Sequence, residues 1–200
     1  MFEDSPQFCA MVLPVVAYGD SVLRRMADEI QKGHPQLDQL IEDMWATMYA
    51  SEGVGLAAPQ VGQSIRMFIV DGAPFAVGEA GDKGCEGFKR VFINPVLFDE
   101  SEEQVSMEEG CLSIPGVREE VVRPIGLHVE YYDENWVLRE EELEGIAARI
   151  VQHENDHLDG VMIPDHVSPL RKALLQGRLK DIGKGKVDVD YRMRFPKKLR

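Results

Sequence analysis

The feature that most constrains this chain is a five-residue string, His153-Glu154-Asn155-Asp156-His157, set inside a segment of helical period. At about 100° per residue, residues 144–158 place Ile146, Ile150, His153 and His157 on one stripe and Ala147, Val151, Glu154 and Leu158 on the next. Arg149, Gln152, Asn155, Asp156 and Asp159 take the opposite side. Two imidazoles and a carboxylate therefore face the core. Histidines one turn apart can share a metal ion at about 2.1 Å while the intervening Glu reaches a water on that ion, an arrangement suited to hydrolysis. Buried, hydrogen-bonded histidines alone would be a blander outcome. The carboxylate argues against it, because on an apolar helix face Glu154 needs a cation, a polarised water or a proton to offset its desolvation.

Two histidines leave a metal site incomplete. Glu154 is the last Glu in the chain and His166 the only later His, so a downstream third ligand has to come from Asp159, Asp165 or His166. The competing candidate is upstream: Cys111, in Glu108-Glu109-Gly110-Cys111-Leu112-Ser113-Ile114-Pro115-Gly116, where two glycines bracket an extended segment. A thiolate with two neutral imidazoles leaves a fourth position for water. Cys9 and Cys85 read better as a small hydrophobe near one end and a loop thiol. Three cysteines at wide spacing argue for reduced thiols rather than a disulfide framework.

Around the 144–158 helix the chain alternates between strand and helix signals. Residues 13–18 read as an extended entry, 21–31 as a short helix capped by Asp20 or Ser21, and 37–49 as an amphipathic helix with Leu37, Leu40, Ile41, Met44, Trp45 and Met48 on one stripe. Strand-like runs follow at 66–71, 90–94, 96–98, 104–107, 117–122, 126–132 and 137–138. The glycine-rich stretch 72–87 reads as a mobile surface loop or insertion, and 169–182 as a helix followed by a basic tail. The expected fold is α+β: antiparallel β-sheets packed around the central helix, with a C-terminal helix. Its 200 residues suit one catalytic domain over 1–200, with a core at about 12–168 and a basic segment at 169–200.

Charge and hydropathy exclude several function classes. No run approaches the ~18 apolar residues of a membrane span, and the apolar stretch 8–18 follows an acidic start rather than a signal peptide's basic one, so the chain reads as cytoplasmic. The formal net charge is -13, yet residues 171–200 hold 11 of the 22 Lys and Arg side chains. An acidic body makes DNA an unsuitable partner, since phosphate binding needs clustered cations.

A third segment, Gly53-Val54-Gly55-Leu56-Ala57-Ala58-Pro59-Gln60, fits neither a phosphate loop nor a dinucleotide fingerprint. It reads either as a helix stop and turn, or as a place where glycines admit another backbone and Gln60 points an amide into a site. Taken in order, GxGxAAPQ at 53–60, EGCLS at 109–113 and HExDH at 153–157 resemble the peptide deformylases, and Ile93-Asn94-Pro95 and the 37–49 helix fit the same family. The resemblance covers roughly residues 12–166.

The resemblance implies a specific division of labour. Cys111, His153 and His157 would hold one divalent metal, ferrous iron in the cell with zinc, nickel or cobalt as substitutes, and a water as fourth ligand. Glu154 would take that water's proton before the oxygen attacks the formyl group on the N-terminal methionine of a nascent peptide, releasing formate. The Gln60 amide and the Leu112 backbone N–H would meet the oxyanion. Backbone groups of Val54, Gly55 and Gly110 would pair with the extended peptide, and Arg118 matches a position near its far end. Ile146 and Ile150, on the histidine stripe, are inferred as the wall of the methionine pocket, or else as plain core. Because the substrate emerges on a ribosome, Arg171, Lys172, Arg178, Lys180, Lys184 and Lys186 either dock on ribosomal RNA or form a solvated tail. The rival readings are an HExxH peptidase without a Cys ligand, a noncatalytic metal-binding module, and a hydrolase using Cys111 as nucleophile.

Overall fold

The computed structural model describes residues 10–78 and 81–196. In chain order the elements are β1 (Val15–Val16), α1 (Leu37–Ala50), β2 (Gly55–Ala57), β3 (Met67–Asp71), β4 (Lys89–Phe98), β5 (Gln104–Gly110), β6 (Arg118–Pro124), β7 (Gly126–Tyr132), β8 (Leu138–Glu144), α2 (Gly145–Leu158), α3 (Ile163–His166), α4 (Pro169–Gly183) and β9 (Met193–Arg194). The fold is mixed α+β. Strands β2-β3-β4-β7-β8 make one antiparallel sheet, β5 and β6 a separate antiparallel pair, and β1 and β9 a short parallel pair.

The run Met67-Phe-Ile-Val70 reads as apolar throughout because the five-stranded sheet is covered on both faces. Alternate residues go to opposite sides: Phe68 and Val70 join Phe92, Tyr131, Ala147, Ala148 and Val151 against α2, while Met67 and Ile69 join Ile41, Met44, Met48 and Ile93 against α1. A third cluster, with Val16, Leu23, Ile114, Val117, Leu175, Leu179 and Ile182, attaches α4 and the chain's beginning to the segment after Cys111. No helix among the described residues is long and apolar enough to cross a membrane.

Several expectations change. The helix expected at 21–31 is a 3-10 turn, Ser21–Arg24, whose Asp20 cap is present; a bridge from Asp28 to Ile65 then holds the following chain extended. The runs 90–94 and 96–98 are one strand, broken at a bulge where Asn94 takes φ +50° and its side chain bonds both the N–H and the carbonyl of Ile30 at 2.8 Å. Residues 139–144, too acidic to read as a strand, form most of the edge strand β8, and the basic tail contributes β9. The side of α2 opposite the histidines is buried at Arg149 and Gln152 and opens to solvent towards Asp159. Arg149 bonds Glu109 and the carbonyls of Val105 and Val121, and Gln152 that of Pro124.

The described part of the 72–87 stretch is tethered at Asp82. Asp82 accepts the Ile146 N–H at 2.8 Å and so caps the first turn of α2, whose own cap residue, Glu144, gives no side-chain bond.

Candidate metal centre

Helix α2 carries His153 and His157 towards the end of β5, where the chain turns and Cys111 follows Gly110. The Cys111 Sγ lies 3.3 Å from the His157 Nε2, and the ligand-type atoms of Cys111, His153 and His157 all lie within 4.8 Å of one another. Among the described residues this is the group that could hold a metal ion. The downstream alternatives are engaged elsewhere: Asp159 with Arg66, Asp165 with Arg24 and Lys172, and His166 with Asp156. Cys85 is buried, its thiol pushed up to about 11 chiefly by that burial, and Cys9 lies outside the described residues.

The donor set fits a metal electrostatically. Burial would raise the Cys111 thiol, but the His157 charge and hydrogen bonds from both histidines bring it down to about 5, making it a thiolate ligand. The other face of His153 is fixed by Glu109, whose Oε2 lies 2.9 Å from Nδ1. Glu109 is itself clamped by Arg123 Nε at 2.7 Å and Arg149 at 2.9 Å, so a buried carboxylate is matched by buried guanidinium groups. Burial would raise its carboxyl, yet the bonds to His153 and Arg123 hold it well below the usual range. Sequence reasoning passed over Glu109 although it stands in the EGCLS segment. A metal-ligating His needs an acceptor for its second nitrogen, and that requirement was the available signal.

Glu154 is 4% exposed, and its Oε2 has no hydrogen-bond partner. Burial raises its carboxyl to about 7 despite the neighbouring histidines. The glycine motif makes room for it: a Cβ on Gly55 would stand 2.4 Å from Glu154 Oε1, and one on Gly53 would stand 2.9 Å from a Leu112 methyl. Gln60 is oriented by its carbonyl end, which accepts the Ala57 N–H at 2.8 Å, so its NH2 is directed at Cys111 Sγ, 3.5 Å away, and Ser113 Oγ, 3.4 Å away.

The remaining residues spread outward from this centre. Gly55 lies in β2, an edge strand of the large sheet, whereas the Val54 carbonyl already accepts the Asp71 N–H. Gly110 pairs in register with Arg118, an exposed residue that meets Glu108 at 3.5 Å. Ile150 is buried in the α2 core cluster, with Ile146 and Val54 half-buried against it. A cavity of about 650 Å³ lies on the other side of α2, lined by Arg66, Gln152, Asn155, Asp156 and Asp159, and does not include the Cys-His-His group.

Comparison with known proteins agrees with this centre. The family model described as polypeptide deformylase matches residues 12–173. The chain is 50% identical over 190 residues to a peptide deformylase of Christiangramia forsetii, covering 93% of this chain and 97% of that protein. It is 45% identical over 183 residues to one from Salinibacter ruber, covering 90% and 93% respectively. Among solved structures it resembles peptide deformylase from Thermotoga maritima, with a TM-score of 0.70, 41% identity, and coverage of 80% of this chain and 100% of that one. It likewise resembles peptide deformylase from Ehrlichia chaffeensis in complex with actinonin, with a TM-score of 0.77, 33% identity and coverage of 89% and 99%. With a family model spanning most of its length and its Cys-His-His triad assembled on α2 and the end of β5, the chain belongs to the peptide deformylase family.

Proposed function

We propose that this metal-dependent hydrolase, which removes the N-terminal formyl group, acts on formyl-methionine at the start of nascent polypeptides and releases formate. The observation that carries the assignment of roles is Glu154: a carboxylate with an unpartnered buried oxygen, on the helix that supplies two ligands, raised to about 7 by burial. Cys111, His153 and His157 would hold a divalent ion, which when bound would supply the Lewis acidity that makes a water nucleophilic near neutral pH. Glu154 takes the proton of the attacking water and returns it to the departing amine. The Gln60 NH2 and the Leu112 N–H meet the charge developing on the formyl oxygen.

The peptide lies extended as an added strand, pairing with backbone of Val54, Gly55 and Gly110, with Arg118 near its far end. Ile146 and Ile150 form the wall that receives the methionine side chain; the half-burial of Ile146 at the rim of the α2 core supports that reading. The physiological ion is ferrous iron, with zinc, nickel and cobalt able to replace it. Ligand preference favours zinc over iron, so iron occupancy follows metal supply. The chain works in the cytoplasm, as one catalytic domain over 1–200.

Ribosome docking through the basic C-terminal segment is part of the same reading. Several of its cations are already committed within the chain, Arg171 to Glu119, Lys172 to Asp165 and Lys186 to Asp181, so the exposed Lys180 and Lys184 would carry the phosphate contacts.

The test is formate release from a short formyl-methionyl peptide, using protein purified without oxygen and with metal content read on the same samples. Wild type should release formate, and Glu154→Ala should lose about 10²- to 10⁴-fold in rate with its metal retained. No release from fully metallated wild type would reject the assignment.

A further inference from the structure

The segment that bears both a metal ligand and an oxyanion donor, residues 111–113, belongs to no regular element and must be fixed from outside. Its three consecutive carbonyls are each engaged. Cys111 O accepts the Ile114 N–H at 2.9 Å, closing a local turn, and Ser113 O accepts the Tyr18 N–H at 2.9 Å from the chain just after β1. Between them, Leu112 O accepts the Tyr191 hydroxyl at 2.8 Å. Tyr191 is remote in sequence, lies beyond the residues matched by the family model, and has no part in the roles given above.

The tail that carries Tyr191 is itself anchored. The Val15 N–H donates to Arg192 O at 2.9 Å and the Ala17 N–H to Arg194 O at 2.8 Å, giving the parallel β1-β9 pair. Arg192 adds a bond to Val12 O, and Phe195 packs in the cluster that contains Val16 and Ile114. One short strand therefore fixes the segment twice: β1 continues into Tyr18, which holds Ser113, and its partner β9 follows Tyr191, which holds Leu112.

We propose that Tyr191 is a positioning residue for deformylation: its hydroxyl, held by the β9 strap, orients Leu112 so that the N–H of that residue points at the formyl oxygen. The Leu112 side chain is set by packing beside Gly53 and its carbonyl by Tyr191, and together these restrict rotation of the residue about its own Cα. Loss of the hydroxyl leaves the ring in place and frees the carbonyl to reorient. The proposal rests on the reading of Leu112 as an oxyanion donor, and the experiment separates the two.

Tyr191→Phe in the full-length, metal-loaded enzyme is the variant to measure. The expected result is a fall in kcat of about tenfold with KM for a formyl-methionyl peptide within about twofold, because a donor displaced by a fraction of an ångström weakens the transition state more than the ground state. Amide hydrogen exchange followed by mass spectrometry should quicken in peptides covering 111–113 and stay unchanged in those covering α4 and β1, with metal content and melting behaviour close to wild type. Unchanged exchange at 111–113 would overturn the bracing role of Tyr191. Faster exchange with unchanged kcat would overturn the proposal by removing Leu112 from the oxyanion site. A loss of kcat that follows loss of metal or general destabilisation would also overturn it, reducing Tyr191 to a structural residue.

Discussion

Helix α2 and two peripheral segments, the 72–87 loop beside it and the tail after α4 beside the Cys111 turn, solve opposite problems. Around α2 the polar groups are buried and mostly paired: His153 has Glu109, Glu109 of β5 has Arg123 and Arg149, and Asp156 has Arg123 and His166, while Glu154 Oε2 is left without a hydrogen-bond partner. The outer segments pack apolar side chains against the core, Cys85 beside α2 and Phe195 in the cluster with Ile114, and each adds one polar contact to the site's backbone, Asp82 on the Ile146 N–H and Tyr191 on Leu112 O. Chemistry therefore sits where desolvation makes electrostatics strong, while positioning is delegated to chain that reaches the site from the periphery. Effects of substitution should scale accordingly: large and pH-dependent in the buried network, smaller at the braces.

The largest effect on folding is expected at Glu109. Glu109→Gln leaves Arg149 without its carboxylate and Arg123 with Asp156 alone, and breaking a buried ionic group in this way costs about 3–5 kcal/mol. It also removes the charge that orients His153, which should weaken metal binding by about 10- to 100-fold. Because the folded protein holds the Glu109 carboxyl below its ordinary value, the stability this group contributes is complete above the unfolded-state pKa near ~4.3 and is lost as pH falls below it. Urea melts should thus show the widest gap between wild type and variant at neutral pH and a narrowing gap below pH ~4. A gap independent of pH would mean that the carboxylate charge does not hold the network together.

The same contrast explains how much was legible in the chain. HExDH, EGCLS and GxGxAAPQ were readable because metal ligation, a proton-carrying carboxylate and close backbone approach each demand particular residue types at fixed spacing. Cys111, His153 and His157 assemble as the resemblance implied, and Gly55 is a glycine because Glu154 stands where a Cβ would be. The 37–49 and 144–158 helices were legible from period alone. Residues 139–144 were not, since an acid-rich edge strand owes its conformation to its partner β7 rather than to an apolar stripe. Nor was the polar side of α2: Arg149 and Gln152 look solvated on a wheel, yet carbonyls of β5 and β6 await them. Asp82 and Tyr191 gave no signal at all, because one capping contact or one hydroxyl bond across more than sixty residues leaves no periodicity to read.

Asp82 supplies the smallest expected effect and the sharpest test of the bracing idea. A carboxylate at the first turn of α2 does two things: it accepts the Ile146 N–H, which otherwise lacks an intrahelical partner, and it places negative charge at the positive end of the helix dipole. Asp82→Ala removes both and should destabilise the protein by about 1 kcal/mol. Asp82→Asn keeps an acceptor and removes only the charge, so it should retain most of the stability and lose roughly 0.3–1 kcal/mol, less at high salt. Because Gly145 takes φ +65° with its missing Cβ directed at Asp82, the contact also sets where Ile146 begins. Thermal melts of the two variants at low and high ionic strength separate the hydrogen bond from the charge, and a KM rise for formyl-methionyl peptide in Asp82→Ala alone would tie the cap to the Ile146 wall. If both variants melt and turn over as wild type does, the loop merely lies against α2 and the division between buried chemistry and peripheral bracing holds only for the tail.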